Sequence, residues 1–292
     1  MAQRSIAWAD LSPDAFAAPA QGGMGIVFRA SWRPRGALPL AVAVKLLKAG
    51  SLPSALLADL TAKVEAEAAA MAAAHDGINE FIAVLYGLAR GAPSQAWLGA
   101  LGADAVSVLT PQRAAAEGGA APSLPRELFG LVLRWEEGGT LASLLHSPER
   151  TWGGGTPARL LLCAQMARGL CGLHAAGVIH GDIKGENVLL SDSSAAPQPR
   201  FSDFGLAELR DAAAASSISS VQEEGAAKRG TWPYMAPEMY RSRAAPAAKA
   251  SRTTDVYALA TLCWEVLSGA RPWAGWLEAD RLVDLREGGC WR

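Results

Sequence analysis

The chain has 292 residues, of which 50% are hydrophobic and 19% charged, so it can bury the core of one large domain or of two lobes. A formal net charge of -1, without any block of like charges, argues against a nucleic-acid partner. Because no apolar run is long enough to span a bilayer and residues 1–10 lack the apolar core of a signal peptide, we expect no transmembrane segment and a cytoplasmic location.

The first part of the chain alternates short apolar runs with glycine and proline, and then carries an Ala-rich helical stretch over residues 53–74. This order predicts a small sheet with one main helix. Residues 91–125 are rich in Ala, Gly, Pro and Ser, with few bulky side chains apart from those near Trp97, and they predict an insertion or a long loop. The apolar run over residues 128–135 predicts a buried strand.

A polar, glycine-containing link at residues 136–139 follows this strand, at the point where a two-lobed protein would hinge. We therefore divide the chain into residues 1–135 and 136–292. The second part is mainly helical, with helices predicted over residues 141–145, 160–174 and 254–267. Residues 211–228 show neither a strand nor a helix pattern and are expected to be mobile.

Cysteine spacing gives little indication of metal binding or cross-linking. Cys163, Cys171, Cys263 and Cys290 contain no Cys-x-x-Cys pair. The first three lie in apolar helical patterns, where a thiol usually packs as a small hydrophobic group. The sequence therefore favours neither a zinc site nor a disulfide.

The most informative polar motif is HGDIKGEN at residues 180–187, which is followed by DFG at residues 203–205. Short apolar runs on both sides of the first motif indicate a loop held between buried strands. Carboxylate and amide oxygens are ligands that suit Mg²⁺. A second carboxylate could orient a hydroxyl group and accept its proton, as phosphoryl transfer requires.

These motifs resemble the catalytic loop H-R-D-x-x-x-x-N and the metal-binding loop D-F-G of the eukaryotic protein kinases. The sequence GTWPYMAPE at residues 230–238 resembles the peptide-binding end of their activation segment. The resemblance implies a bilobal α+β fold, with a small β-rich N-lobe that carries one main helix and a mainly helical C-lobe. It also implies transfer of the γ-phosphate of ATP to a protein hydroxyl, with Mg²⁺ as cofactor.

The resemblance also assigns roles in the second lobe. Asp182 would be the catalytic base, Lys184 would reach the transferred phosphate, and Asn187 and Asp203 would hold Mg²⁺. A lysine at position 184 implies Ser or Thr as the acceptor. Asp255 looks like the buried carboxylate that holds the catalytic loop. An upstream kinase or a scaffold protein is a further partner that the family resemblance suggests.

In the first lobe, residues 20–27 (AQGGMGIV) resemble the kinase glycine-rich loop, with Ala20 where the family has its first glycine. Lys45 ends the run AVAVK and would hold the ATP phosphates, with Glu67 as its partner. Glu65 is the alternative, on roughly the opposite face of the helix. The remaining nucleotide-binding residues implied by the resemblance are Gly22, Gly25, Val27, Ala43, Leu133, Leu189 and the backbone of Arg134 and Trp135.

Three features depart from the family pattern or narrow it. Gly181 replaces the arginine that usually precedes the catalytic aspartate, so activity is expected not to require phosphorylation of the activation loop. The chain stops at Arg292, where a full kinase continues, so we expect a C-lobe that lacks its last helices. Residues 6–11 are similar to the lead-in of the tyrosine-kinase-like group of Ser/Thr kinases.

The alternative function is that of a pseudokinase or truncated kinase that acts as a binding or scaffold module. Ala20 and the missing helices support this alternative. The complete set of polar catalytic residues argues against it.

Overall fold

The structure is a computed structural model that describes residues 5–14, 20–22, 25–47, 80–102, 106, 128–149, 152–203, 232–239 and 250–274. The chain forms two compact units, one of residues 1–76 and 83–136 and the other of residues 77–82 and 137–292. The first unit ends at Glu136, one residue after the predicted boundary at residue 135. That residues 77–82 join the second unit was not predicted.

Within the described residues of the first unit, seven strands form one sheet. The strands β4 (Gly25–Trp32), β5 (Leu40–Leu47), β7 (Leu128–Arg134) and β6 (Leu85–Gly91) pair antiparallel in that order. The edges are completed by β1 (Ser5–Ile6), which pairs parallel to β6, and by β2 (Leu11–Pro13) and β3 (Ala20–Gly22), which both pair with β4. Strand β7 matches the predicted apolar run to within one residue.

Alternation along the central strands gives the sheet two different faces. Ile26, Phe28, Ala30 and Trp32 of β4 lie in one hydrophobic cluster with the alternate residues Val42, Val44 and Leu46 of β5. The residues between them, such as Val27 and Lys45, therefore lie on the opposite face. A shift of register by one residue would exchange the two sets, so burial of the cluster determines the register.

The segment predicted as an insertion or long loop contains a helix, α1 (Gln95–Leu101). Ser94 caps it by accepting a hydrogen bond from the Trp97 N–H at 3.2 Å. The Trp97 ring packs edge-to-face against Trp8 and Phe28, and its indole N–H donates to the Leu11 carbonyl at 2.9 Å. Because Trp97, Leu98 and Leu101 are buried in the core cluster, this helix is a part of the first unit's core. The bulky residues were the signal for it, although alanine and glycine around them hid the helical period.

The second unit is mainly helical where it is described. It contains α2 (Leu141–His146), α3 (Thr156–Ala175) and α4 (Arg252–Ser268). Helix α3 begins four residues before the predicted start because Pro157 lies in its first turn, where its missing N–H leaves no helical bond unmade. Helix α4 begins at a capping box formed by Ser251 and Thr254 and ends at Gly269, whose φ of 73° is left-handed.

Two short strands, β8 (Val188–Leu190) and β9 (Pro199–Phe201), form an antiparallel pair in the second unit. Phe201 donates its N–H to the Phe81 carbonyl at 2.8 Å. Helix α3 approaches this pair at Gly169, where an added Cβ would lie 2.9 Å from the Phe81 side chain and 3.2 Å from the Phe201 ring. The loop between α3 and β8 is therefore held at both ends by packed elements. The strand predicted after the loop is confirmed, whereas the strand predicted before it is wrong, because residues 178–179 follow the helix α3 without forming a strand.

The sheet of the first unit and the helices of the second confirm the predicted α+β class. The predicted main helix at residues 53–74 and residues 211–228 lie outside the described residues, as does the chain after residue 274. No helix in the described part of the chain combines the length and apolar character needed to cross a bilayer.

Candidate active site

The predicted glycine-rich loop lies on a β-hairpin of the first unit. Ala20 in β3 lies opposite Val27 in β4, and Gly22 lies opposite Gly25, so residues 23 and 24 connect the strands. Ala20 is in a strand, a conformation that any residue adopts, and its pairing with Val27 requires no glycine. The replacement of the family's first glycine therefore does not prevent the hairpin from forming.

Lys45 lies on the sheet face that is opposite the hydrophobic cluster. It pairs with Val27 of β4 and with Leu131 of β7, while Ala43 pairs with Leu133. Cross-strand partners project from the same face, so Val27, Ala43, Lys45 and Leu133 share one face, as a common nucleotide-binding role requires. Lys45 is only 4% exposed. Its predicted partner Glu67 lies outside the described residues, as does the alternative Glu65.

The backbone after β7 is already partly occupied by hydrogen bonds within the sheet. The Arg134 N–H donates to the Val84 carbonyl at 2.9 Å, and the Trp135 N–H donates to the Ala41 carbonyl at a longer 3.4 Å. An adenine edge would therefore have to use a carbonyl oxygen here, or replace the weak Trp135 bond. The predicted adenine contacts of Arg134 and Trp135 are therefore limited to their carbonyl oxygens and to the Trp135 N–H.

Four predicted catalytic and metal-binding residues are gathered within the second unit. Lys184 donates from Nζ to Asp182 Oδ2 at 2.9 Å. The Asn187 side-chain amide donates to the same oxygen at 3.0 Å and to the Asp182 carbonyl at 2.8 Å. The Ser202 N–H donates to the Asn187 carbonyl at 2.9 Å, and this bond places Asp203 next to the loop. Asp182 and Asn187 are buried, at 6% and 7% exposure, so these bonds hold a carboxylate in a fixed position.

The buried carboxylate of Asp255 anchors this loop from α4. Its oxygens accept the backbone N–H groups of His180 and Gly181, each at 2.8 Å. His174 Nε2 lies 2.9 Å from Asp255 Oδ2 and adds a further contact from the end of α3. Sequence reasoning predicted Asp255 but missed His174, because the motif itself begins six residues later. Asp255 thus connects two helices with the residues directly before Asp182.

His180 connects the anchor to Asp182. Its side chain is fully buried, and this burial holds the pKa of His180 below its ordinary value of 6.5, although Asp255 and Asp182 oppose the shift. A neutral imidazole can accept a hydrogen bond at Nδ1, and the Asp182 N–H lies 3.3 Å from that atom. The ring also packs edge-to-face on Phe201 at 5.4 Å, so His180 acts as a positioning residue.

Gly181 has a φ of 75°, in the left-handed region that side chains with a Cβ rarely adopt. We expect the substitution Gly181→Ala to lower the free energy of unfolding by about 1 kcal/mol because the backbone must keep this angle to reach Asp255. Urea unfolding would measure the change. Gly153→Ala is the matched control, since Gly153 has open space around its Cβ position and no positive φ. Equal stability of Gly181→Ala and wild type would show that the loop relaxes to another backbone angle.

The metal-binding prediction fits the oxygen donors that the structure places together. Asn187 uses its amide nitrogen for both of its bonds to Asp182, which leaves its amide oxygen as a ligand for a hard cation. Asp203 has a φ of 60°, an uncommon angle for a residue with a side chain. A carboxylate and an amide oxygen on adjoining segments form a donor set that suits Mg²⁺.

Leu189 lies on β8 with a half-buried side chain, while its neighbours Val188 and Leu190 are fully buried on the other face. It forms a bridge with Thr140 at the start of α2. The nearby Gly138 N–H donates to the Leu190 carbonyl at 3.0 Å. A Cβ on Gly138 would lie 2.3 Å from the Asp192 carbonyl oxygen, so only glycine fits there.

A second buried carboxylate, Glu265 of α4, is the centre of a cluster that was not predicted from the sequence. Glu265 is 1% exposed, accepts the Tyr234 hydroxyl at 2.7 Å, and lies 2.6 Å from His146 Nε2 at the end of α2. Burial and the adjacent Glu265 both raise the pKa of Tyr234, so its hydroxyl stays protonated and donates. The Trp273 indole N–H donates to the Pro233 carbonyl at 2.8 Å. The described part of GTWPYMAPE is therefore attached to α4, whereas Thr231 lies outside the described residues.

Comparison with known proteins places these motifs among the protein kinases. The family described as the protein kinase domain matches residues 126–286, more than half of the chain. The chain is 38% identical over 146 residues to the Serine/threonine-protein kinase pkn2 of Myxococcus xanthus, which covers 50% of this chain and 16% of that protein. It is 35% identical over 147 residues to the Serine/threonine-protein kinase PknL of Mycobacterium tuberculosis, over 50% of this chain and 32% of PknL.

A plant relative shows similar coverage. The chain is 36% identical over 156 residues to the Probable leucine-rich repeat receptor-like protein kinase IMK3 of Arabidopsis thaliana, over 53% of this chain and 18% of that protein. Each match thus spans a third or less of the relative's own length. The family match begins at residue 126, so the glycine-rich hairpin and Lys45 lie outside it.

Proposed function

The chain belongs to the protein kinase family, and from this premise we propose that it transfers the γ-phosphate of ATP to a Ser or Thr hydroxyl of a protein substrate. The observation that carries the proposal is the buried Asp182 carboxylate, held by Lys184 at 2.9 Å and Asn187 at 3.0 Å. The names of the bacterial relatives, both Ser/Thr kinases, support the choice of acceptor. The tyrosine-kinase-like grouping stays a prediction, because these relatives do not single out a subgroup.

The geometry of the loop supports a division of roles. Asp182 accepts the proton of the attacking hydroxyl and orients its oxygen toward phosphorus. Lys184, already bonded to Asp182, supplies a positive charge next to the transferred phosphate. Asn187 and Asp203 would hold Mg²⁺, which neutralises charge on the phosphate oxygens when it is bound. Tyr234 and the residues around it, attached to Glu265, would support the substrate peptide.

The first unit would hold the nucleotide. Lys45 would bind the phosphates, and the backbone of the hairpin that contains Gly22 and Gly25 would cover them. Val27 and Ala43 share the Lys45 face and would pack against the adenine, with Leu189 as the remaining apolar partner. Leu133 would line the back of the adenine site. We also propose that the protein acts in the cytoplasm, where ATP and protein hydroxyls are both abundant. We further propose that an upstream kinase or a scaffold protein controls it.

A binding or scaffold role without catalysis is not favoured. Asp182, Lys184 and Asn187 are present and bonded to one another, whereas a kinase that has lost activity usually lacks one of its catalytic residues. Ala20 was an argument for this alternative, but it occupies an ordinary strand position opposite Val27. A measurement of phosphate transfer therefore distinguishes a kinase from a binding or scaffold module.

The test is transfer of labelled γ-phosphate from Mg·ATP to a generic protein by the full 292-residue chain. We expect label on phosphoserine and phosphothreonine, loss of label with EDTA, and loss of most label in Lys45→Met. Arg35→Met is the matched control, since Arg35 is an exposed cation in a turn of the same unit. Label on tyrosine alone would contradict the proposed acceptor. Equal labelling by wild type and Lys45→Met would contradict the proposed site.

A further inference from the structure

Two cysteine thiols meet between α3 and α4, although they are 100 residues apart in the sequence. The Cys163 thiol donates to the carbonyl oxygen of Cys263 at 3.9 Å, and the two side chains are close enough for each to shift the pKa of the other. Such proximity requires close approach of the two helix backbones at this point, which is also the first requirement for a disulfide. Neither residue belongs to the catalytic loop or to its anchor.

Both thiols are half-buried, so a small oxidant could reach them. Interaction with the Cys263 side chain lowers the pKa of Cys163, which burial opposes. Interaction with the Cys163 side chain, together with burial, raises the pKa of Cys263. Cys163 is thus the better nucleophile of the pair, and Cys263 lies where a resolving thiol is needed.

We propose that Cys163 and Cys263 form a redox-sensitive pair that hydrogen peroxide converts to an intramolecular disulfide. The Cys163 thiolate attacks one peroxide oxygen, the O–O bond breaks, and a sulfenic acid and water result. The Cys263 sulfur then attacks the Cys163 sulfur, so that the S–S bond forms, the S–O bond breaks and a second water leaves. Overall, the two thiols give up two protons and two electrons, and peroxide is reduced to water.

The position of the pair gives the disulfide a structural consequence. Cys263 lies on α4, the helix that carries the loop anchor Asp255 in its first turn and Glu265 two residues after the cysteine. A bond to α3 would tie α4 to the helix that supplies His174. Because the link closes a loop of about 100 residues, it would restrict the unfolded chain strongly and raise the melting temperature.

The test treats the reduced full-length protein with hydrogen peroxide and maps its peptides by mass spectrometry without reduction. We expect a linked pair of peptides that contain Cys163 and Cys263, with a mass lower by two hydrogen atoms than the two thiol peptides together. The melting temperature should rise with the link and return after treatment with a thiol reductant. This readout does not depend on phosphate transfer, so failure of the kinase proposal would leave it intact.

Serine substitutions separate the proposed pair from the other cysteines. Cys163→Ser and Cys263→Ser should each lose the linked peptides and the rise in melting temperature. Cys171→Ser is the matched control on α3, where Cys171 is exposed, and should keep both, as should Cys290→Ser. The proposal is overturned if peroxide leaves Cys163 and Cys263 open to alkylation in wild type, or if it links either of them to Cys171 or Cys290 instead.

Discussion

Replacing Asp182 with asparagine is expected to lower kcat for phosphate transfer by about 10³-fold, within the usual range for loss of a general base. Asparagine keeps an oxygen that can accept from Lys184 and Asn187, so the two side-chain bonds that hold this position can persist. It cannot accept the proton of the substrate hydroxyl. The KM for ATP should change little, because Asp182 is assigned to the hydroxyl and not to the nucleotide. Steady-state kinetics with varied ATP would separate the two parameters.

The matched control for this substitution is Glu186→Gln, which removes the charge of an exposed carboxylate in the same loop. It should leave kcat within a factor of about two, since exposed charges contribute little to local electrostatics. Urea unfolding of Asp182→Asn should show that stability is retained. If Asp182→Asn kept the wild-type kcat, another group would have to be the base and the proposed mechanism would be wrong.

The second large effect is expected on stability, from Asp255→Asn. The Asp255 carboxylate accepts N–H groups from His180 and Gly181 while it contacts His174, and its side chain is only 2% exposed. The asparagine side chain has one oxygen and one NH₂ group, so it can accept only one of the N–H groups of His180 and Gly181 in the same way. The other buried N–H is left without an acceptor. We expect the free energy of unfolding to fall by about 3 kcal/mol, because burial makes the lost acceptor expensive. Activity should fall as well, since the loop before Asp182 loses its anchor.

Chemical denaturation of wild type and Asp255→Asn would measure this loss. Asp192→Asn provides the same chemical change at a carboxylate in an exposed turn, where we expect less than about 1 kcal/mol. Kinetics distinguish the anchor from the base. Asp255→Asn should lose stability and activity together, whereas Asp182→Asn should lose activity alone. An Asp255→Asn protein as stable as wild type would show that the loop does not depend on α4.

Much of the candidate site could be predicted from the sequence because its motifs are local. Asp182, Lys184 and Asn187 are within five positions of one another, so their spacing already places them on one short loop. The resemblance of these motifs to those of the protein kinases predicted the family and the α+β class, and both are confirmed. The strand β7 was also predicted, because a continuous apolar run indicates a buried strand.

Other parts could not be predicted, because they depend on contacts between distant segments. Trp97 was noted as an exception in a segment predicted as a loop, but only its packing on Trp8 and Phe28 shows why the helix around it forms. The cluster of Glu265, Tyr234 and His146 joins segments up to 119 residues apart. No local sequence pattern identifies such partners, because Glu, Tyr and His side chains are also common at exposed positions.

The sequence by itself determined which residues are proposed for catalysis, because Asp182, Lys184 and Asn187 lie within five positions of one another in one loop. Tertiary structure decided how that loop is held. The left-handed angle at Gly181 and the backbone bonds from His180 and Gly181 to Asp255 depend on α4, which follows the loop by about 70 residues. Burial in the folded chain lowers the pKa of His180. Tertiary structure also decided that Cys163 and Cys263 meet. Hydrogen bonds and burial act over a few ångströms in space, and only the folded chain brings these residues within that distance.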